Sequence, residues 1–139
     1  MKLNLTSKDI IGLNKKIVAL TGEPHQLIKS YLDSALHSSE YYDNYFDKVA
    51  SIIRSLVMNH NFQQGNKRTA AIVLAVLLPQ IDFDDNFLTK LILEIVKDKL
   101  DVSQISKQIV SYAKDNITEN IVKDYITKHK LTLEILYNL

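Results

Sequence analysis

The chain has 139 residues, a formal net charge of +1 and no cysteine. Its length suits one domain, and the near balance of charge argues against a protein that wraps nucleic acid in a basic field. The absence of cysteine excludes disulfides, thiolate metal sites and cysteine nucleophiles. With only three glycines and two prolines, the sequence favours long helices over a many-turned β-protein, so we predict a single all-α domain.

The chain carries no signal for a membrane or for export. Residues 1–13 contain polar side chains throughout and lack the apolar core of a signal peptide. The longest apolar run, residues 70–78, is too short to span a bilayer. The sequence therefore predicts a soluble, cytoplasmic protein without a membrane partner.

Apolar residues recur at helical spacing along most of the chain, which predicts a succession of amphipathic helices. The first begins at Thr6 or Ser7 and ends at Gly22, since glycine tolerates the left-handed conformation of a helix terminus. Pro24 suits the first turn of a second helix. The predicted apolar faces are Ile10, Leu13, Ile17 and Leu20 in the first helix, and Leu27, Ile28, Tyr31, Leu32, Ala35 and Leu36 in the second.

The middle of the chain predicts two helices joined by a loop. The third helix, with Asp43 as its N-cap candidate, runs to about Asn59, and residues 60–65 lack periodicity, which indicates a loop. Asn66 opens a fourth helix that ends before Pro79 and is apolar on nearly every side. A helix of that kind is typical of the middle of a bundle.

The C-terminal third predicts two capped helices and one ambiguous segment. Asp84 or Asp85 caps a fifth helix, and Asp101 caps a sixth. From Thr118 to about His129 the pattern is helical. The last apolar residues alternate as in a strand, so both a helix and a short strand stay open for Leu131, Leu133, Ile135 and Tyr137.

The loop before the fourth helix carries the most informative residues, His60-Asn61-Phe62-Gln63-Gln64-Gly65-Asn66-Lys67-Arg68-Thr69. Unpaired backbone N–H groups and the positive end of the helix dipole make a helix N-terminus an anion site. Lys67 and Arg68 interact unfavourably with the positive end of that dipole. Their presence is explained if a polyanion such as a triphosphate binds between them. Gly65 allows a ligand to approach the backbone closely, and Asn66 adds an amide.

His60 lies at the other end of this loop and can accept a proton near neutral pH. Phe62, alone among polar neighbours, should anchor the loop in the core and set the distance between His60 and the anion site. Each residue alone has a structural explanation, such as a helix cap, a turn or a solvated face. Their combination is the minimum equipment for transfer of a phosphoryl or nucleotidyl group to a hydroxyl.

The pattern His60-x-Phe62-x-x-Gly65-Asn66-Lys67-Arg68-Thr69 resembles the signature of the Fic/Doc family, and within it the death-on-curing (Doc) branch. The upstream Leu32-x-x-Ala35-Leu36 is similar to the lead-in of Doc proteins. The resemblance covers residues 1 to about 113, which leaves about 114–139 as a C-terminal extension of the single domain over 1–139. It implies a compact helical bundle in which the motif loop joins two central helices.

The resemblance implies that His60 deprotonates a target hydroxyl and that Asn66 and Arg68 hold nucleotide phosphates. Adenylylating members usually have a second glycine and a second arginine where this chain has Lys67 and Ala71. Those two residues match the Doc branch, whose activity is transfer of phosphate from ATP to elongation factor Tu, halting translation. Such toxins are held in check by an antitoxin protein whose disordered tail folds onto them.

Gln64 departs from the family, which has an acidic Mg²⁺ ligand at this position. An amide oxygen can bind Mg²⁺ but supplies no charge. Either the ATP phosphates carry the metal, or another carboxylate substitutes, or activity is reduced.

The chain also lacks the inhibitory helix, Ser/Thr-x-x-x-Glu-Gly/Asn, that some members of the family carry. In its nearest approach, Asp115 stands four residues before Glu119-Asn120 where the motif has Ser or Thr, and the arginine that the glutamate would bind is replaced by Ala71. The resemblance therefore favours control by a separate antitoxin.

These observations support a Doc-like toxin of a toxin–antitoxin system, acting as a kinase on a translation protein. The alternatives are a Fic-type protein adenylyltransferase and a catalytically impaired Fic-fold binding module, the latter suggested by Gln64. A DNA-binding helix-turn-helix domain would need a basic recognition face, which the charge balance does not provide.

Overall fold

A computed structural model describes residues 3–28, 31–116 and 119–139. This part of the chain is all-α, as the sequence predicts, and none of its helices has the length and apolar character needed to cross a membrane. In chain order the helices are α1 (Ser7–Ala19), α2 (Leu32–Ser39), α3 (Tyr45–Met58), α4 (Asn66–Leu77), α5 (Asp85–Asp98), α6 (Val102–Asp115), α7 (Glu119–Lys128) and α8 (Lys130–Tyr137).

Side-chain caps fix the N-termini of α1, α3, α5 and α6. The side chains of Thr6, Asn44, Asp84 and Asp101 accept hydrogen bonds from first-turn N–H groups of α1, α3, α5 and α6. Each cap satisfies a donor that the helix itself leaves without a partner. The predicted starts of α1, α5 and α6 are confirmed, whereas α3 is capped by Asn44 and not by Asp43.

The core forms around α3, which packs against α2, α4, α5 and α6, while α1 packs on α4. Phe62 joins this core from the loop between α3 and α4. Because both ends of that loop belong to packed helices, its position is set by the core. The buried residues of α3 are Val49, Ala50, Ile52, Ile53, Leu56 and Val57.

Residues 23–28 are extended, so the prediction of a helix beginning at Pro24 is wrong. Their backbone pairs with the loop after α3: the Ile28 N–H donates to Asn61 O at 2.9 Å, and the Gln63 N–H donates to Gln26 O at 2.8 Å. These contacts between distant parts of the chain satisfy backbone groups that would otherwise need helical partners. Local spacing does not reveal them.

The prediction that α4 lies in the middle of the bundle holds for only part of its surface. Val73 is fully buried, whereas Ile72 is 42% and Val76 46% exposed. The helix packs against α1, α3 and α5, and no other described helix covers its outer face. An apolar face of α4 is therefore open to solvent.

The C-terminal residues form a helix, α8, and not the short strand that the alternation left open. A lone strand would leave its N–H and C=O groups unpaired, whereas a helix satisfies them internally. Thr118, where the sequence predicts the start of the preceding helix, lies outside the described residues. Within the described chain, α7 and α8 make no contact with α1–α6.

Two valines on α4 test this packing. We expect Val73→Ala to lower the free energy of unfolding by about 2 kcal/mol, because it removes two methyl groups and leaves a cavity. Val76→Ala removes the same atoms from the exposed face and should change stability by less than about 0.5 kcal/mol. Urea unfolding monitored by circular dichroism measures both, and equal losses would contradict the described burial.

Candidate active site

The motif loop, residues 59–65, connects α3 to α4 and is anchored at its centre. Phe62 is only 1% exposed and forms an isolated antiparallel bridge with Leu27. Asn61 is also buried, and its Oδ1 accepts a hydrogen bond from the Tyr31 N–H at 2.9 Å. His60, the residue before this anchor, is exposed. The loop therefore presents His60 to solvent from a fixed base.

Asn66 closes the loop onto the start of α4. Its Oδ1 accepts a hydrogen bond from the Phe62 N–H at 3.0 Å, and its Nδ2 donates to Phe62 O at 2.8 Å. Both ends of the amide are therefore used by the loop backbone. In this arrangement Asn66 shapes the loop, a contribution separate from the phosphate contact that the family resemblance implies.

Gly65 is the N-terminal flanking residue of α4 and has a left-handed conformation, with φ at 80°. A Cβ at this position would lie 2.9 Å from Val18 Cγ1 and 3.1 Å from Asn14 Nδ2. Glycine is needed both for the backbone angle and for the close approach of α1. The sequence predicts glycine here because a ligand approaches the backbone closely. The structure adds a second reason for glycine, which is the close approach of α1.

A fully buried amide, that of Asn14, ties α1 to the motif loop. Its Nδ2 donates to Gln64 O at 2.8 Å and lies 3.2 Å from Thr69 Oγ1, and its Oδ1 lies 2.9 Å from His25 Nδ1. Because an amide oxygen only accepts, Nδ1 of His25 carries the proton in this contact. The loop, the first turns of α4 and the segment after α1 are thus held by one side chain.

Sequence reasoning missed Asn14, although a signal for it exists. The residue lies four positions from both Ile10 and Val18, which are the buried apolar residues of α1. A polar residue inside such a stripe must find partners within the protein. The predicted stripe instead included Leu20, which is 86% exposed.

The N-terminus of α4 has the features of an anion site. It has no side-chain cap and no acidic residue in its first turn, unlike α1, α3 and α5. Lys67 and Arg68 are both exposed at this end. Two cations beside the positive end of a helix dipole favour binding of an anion with several charges. We call Gly65, Asn66, Lys67 and Arg68 the cradle.

Within the protein, the guanidinium of Arg68 is bound by a carboxylate. Its Nη2 donates to Glu23 Oε1 at 2.6 Å, and its Nη1 donates to Thr21 Oγ1 at 3.1 Å. Hydrogen bonds from the Thr21 hydroxyl and then from Arg68 lower the pKa of the Glu23 carboxyl. Arg68 stays 42% exposed. A phosphate in the cradle would therefore share Arg68 with Glu23 or displace it.

The residues present do not form a Mg²⁺ site by themselves. Gln64 is exposed and supplies a neutral amide, while Glu23 is engaged by Arg68 and Thr21. No three His, Asp or Glu side chains of the described residues are grouped so as to hold a metal. Since Mg²⁺ favours carboxylates together with phosphate oxygens, nucleotide phosphates would have to supply most of its ligands.

An open groove of about 660 Å³ adjoins the cradle between α1, α4 and α5. Lys67 and Arg68 line it, and most of the remaining surface is apolar. The open face of α4 contributes to it through Ile72. The other apolar side chains of this groove are Ile17, Leu20, Ala71, Leu88, Ile92 and Leu93.

A comparison with known proteins matches the same part of the chain. A family model described as Fic/DOC family matches residues 4–78, from the residues before α1 to the end of α4, including the loop and the cradle. No curated protein gives a match. The matched region contains more than half of the sequence, and the chain belongs to the Fic/DOC family.

Proposed function

We propose that the protein is a Doc-like kinase that transfers the γ-phosphate of ATP to a hydroxyl of a translation protein similar to elongation factor Tu. Membership of the family supports the general class of activity in this proposal, that of a Fic-type transferase. The observation that carries the proposal is the uncapped N-terminus of α4 with Lys67 and Arg68 beside it. Inhibition of translation, and so of growth, would follow from the modification.

In the proposed reaction His60 takes the proton of the target hydroxyl. The oxygen then attacks the γ-phosphorus, a new phosphoester bond forms, and the bond to the β-phosphate oxygen breaks to release ADP. Lys67, Arg68 and the N–H groups of α4 hold the phosphates and offset charge on the leaving group. The exposure of His60 supports this role, because a protein hydroxyl must reach it from outside.

Adenylyl transfer is the alternative, because family members typically transfer nucleotide moieties onto proteins. Lys67 and Ala71, where adenylylating members usually have glycine and arginine, favour phosphate transfer. ATP labelled at the α- or γ-phosphate, incubated with the protein and a cell extract, separates the two. Label from the γ-position supports the kinase and label from the α-position supports the adenylyltransferase. No transfer from either supports the impaired binding module.

We propose an antitoxin as the natural inhibitor of this site. The groove beside the cradle is mostly apolar, and its charged lining residues are the two cations Lys67 and Arg68 and the single carboxylate Asp85. A segment with an apolar face and a carboxylate would complement it, which fits a disordered tail that folds on binding. Self-inhibition by the family's inhibitory helix is not favoured, since Ala71 replaces the arginine that such a helix binds.

His60→Ala should lower transfer by about 100-fold or more, which is the typical contribution of a general base. The fold should be unaffected, because the side chain is exposed. His37→Ala removes another exposed histidine, from α2, and serves as the matched control with unchanged activity. Initial rates with labelled ATP measure both. Retention of more than about a tenth of wild-type activity in His60→Ala would remove this residue from the role of base.

Arg68→Ala should weaken ATP binding by on the order of tenfold or more, because a charge-assisted contact to phosphate is lost. Its stability should change little, since an exposed pair such as Arg68–Glu23 contributes at most about 1 kcal/mol. Isothermal titration with ATP measures the affinity. The matched control is Arg54→Ala. Arg54 is the other arginine of the chain; it lies away from the cradle, and its Nε donates to Leu100 O.

The same titration on Glu23→Gln tests the competition for Arg68. Removing the carboxylate should tighten ATP binding by severalfold, because the guanidinium no longer has to exchange an internal anion for phosphate. Weaker binding in Glu23→Gln would instead assign Glu23 to holding Arg68 in its productive position. Normal ATP binding by Arg68→Ala would show that the phosphates bind elsewhere.

Gln64→Asp should lower the Mg²⁺ concentration required for half-maximal transfer by on the order of tenfold, because it adds a charged oxygen beside the phosphates. Gln63→Asp, at the neighbouring exposed position, adds the same charge and serves as the control. The measurement is a Mg²⁺ titration of phosphate transfer for each form. An unchanged or poorer response of Gln64→Asp would contradict the view that this residue is a weakened metal ligand.

A further inference from the structure

The C-terminal arm, residues 119–139, leaves a large apolar surface uncovered. Every side chain of residues 122–139 is exposed, and this stretch holds nine of the 18 large exposed apolar side chains among the described residues. Clusters of exposed apolar side chains on a protein surface commonly mark an interaction site. Neither helix of the arm contacts α1–α6 within the described chain, so the body of the protein does not cover it.

The apolar residues of α8 lie on several sides of the helix. Five of its eight residues are apolar, and Ile135, Leu136 and Tyr137 follow one another directly. Successive residues are about 100° apart around a helix, so one neighbouring surface cannot cover all three. A helix apolar on every side is typical of the centre of a bundle. α7 alone is too little cover, since α8 needs neighbours on more than one side.

The arm follows the body as two short helices in series. His129 separates them, with its N–H donating to Tyr125 O at 2.9 Å and its O accepting from the Leu133 N–H at 3.0 Å. Helices of 10 and 8 residues are marginal in water without packing. Burial against another surface therefore has to supply the stability of the arm.

The charges of the arm favour a copy of itself as that surface. Three lysines, Lys123, Lys128 and Lys130, balance three acidic residues, Glu119, Asp124 and Glu134. Two such arms do not repel one another, and a strongly acidic or basic partner gains nothing from a neutral arm. A helix that lies on a membrane normally has a polar face rich in lysine and arginine, which this balance does not provide.

We propose that the arms of two copies of this chain pair with one another and make the protein a homodimer. Two arms bring four helical segments together, so each α8 gains neighbours on several sides. A symmetric pairing of this kind is the commonest form of homo-oligomer. The proposal rests on the arm alone and is independent of the catalytic function of the cradle.

Sedimentation equilibrium on the full chain tests the proposal. The protein concentration is varied over a range of about 20-fold, from about 5 to about 100 μM. Wild-type protein should sediment with the mass of two 15.9 kDa chains. Leu133→Lys combined with Leu136→Lys should sediment as a monomer. In this double variant, α1–α6 should unfold at the same temperature as in the wild-type protein, because Leu133 and Leu136 touch nothing in α1–α6. The matched control is Leu93→Lys, an exposed leucine in the groove of the body, which should stay dimeric.

A single cysteine provides a second test that does not depend on disrupting the arm. The chain has no cysteine of its own, so His129→Cys places one thiol between α7 and α8. In a symmetric pair a residue near the middle of the arm approaches its own copy, and mild oxidation should give a covalent dimer. Leu20→Cys, on an exposed part of the body, should not crosslink.

Three results would overturn the proposal. A monomeric wild-type protein at the highest concentration would show that the arms do not pair. Loss of the dimer in Leu93→Lys would show that the arm binds the groove of the body. An unchanged dimer after the double lysine substitution would place the contact elsewhere in the molecule.

Discussion

The buried amide of Asn14 is the contact on which the geometry of the site depends. It joins α1 to Gln64 O, to Thr69 and to His25, so three segments distant in sequence meet at one side chain. The approach is close enough that Gly65 leaves no room for a Cβ. Since buried polar groups are costly to leave unpaired, this network favours one arrangement of the loop over its alternatives. The cradle is therefore shaped by α1 before any ligand binds.

The charges of the cradle are arranged against the preference of an isolated helix. Lys67 and Arg68 lie at the positive end of the α4 dipole, where acidic residues would be favourable. Glu23 offsets part of this unfavourable positive charge by binding Arg68. The structure thus places two cations at this helix end and supplies one carboxylate from another segment to offset them.

The body and the C-terminal arm bury their apolar residues in different ways. In the body, formed by α1–α6, α3 packs against α2, α4, α5 and α6. The open face of α4 borders the groove beside the cradle. In the arm, residues 122–139 find no cover within the described chain. The family match ends at residue 78 and so does not extend to the arm. The contacts that matter for the cradle and those that would bury the arm therefore belong to separate parts of the molecule.

Local signals in the sequence determined the all-α class, the caps of α1, α5 and α6, and the loop that carries His60, because each depends on residues only a few positions apart. Tertiary contacts decided the rest. Residues 25–28 are extended because Gln26 and Ile28 bond to the motif loop, and Asn14 is buried because three segments converge on it. The last residues are helical because the described residues offer no second strand to satisfy their backbone. Periodicity reports which face of a segment is apolar, whereas the partner that covers it is a property of the folded chain.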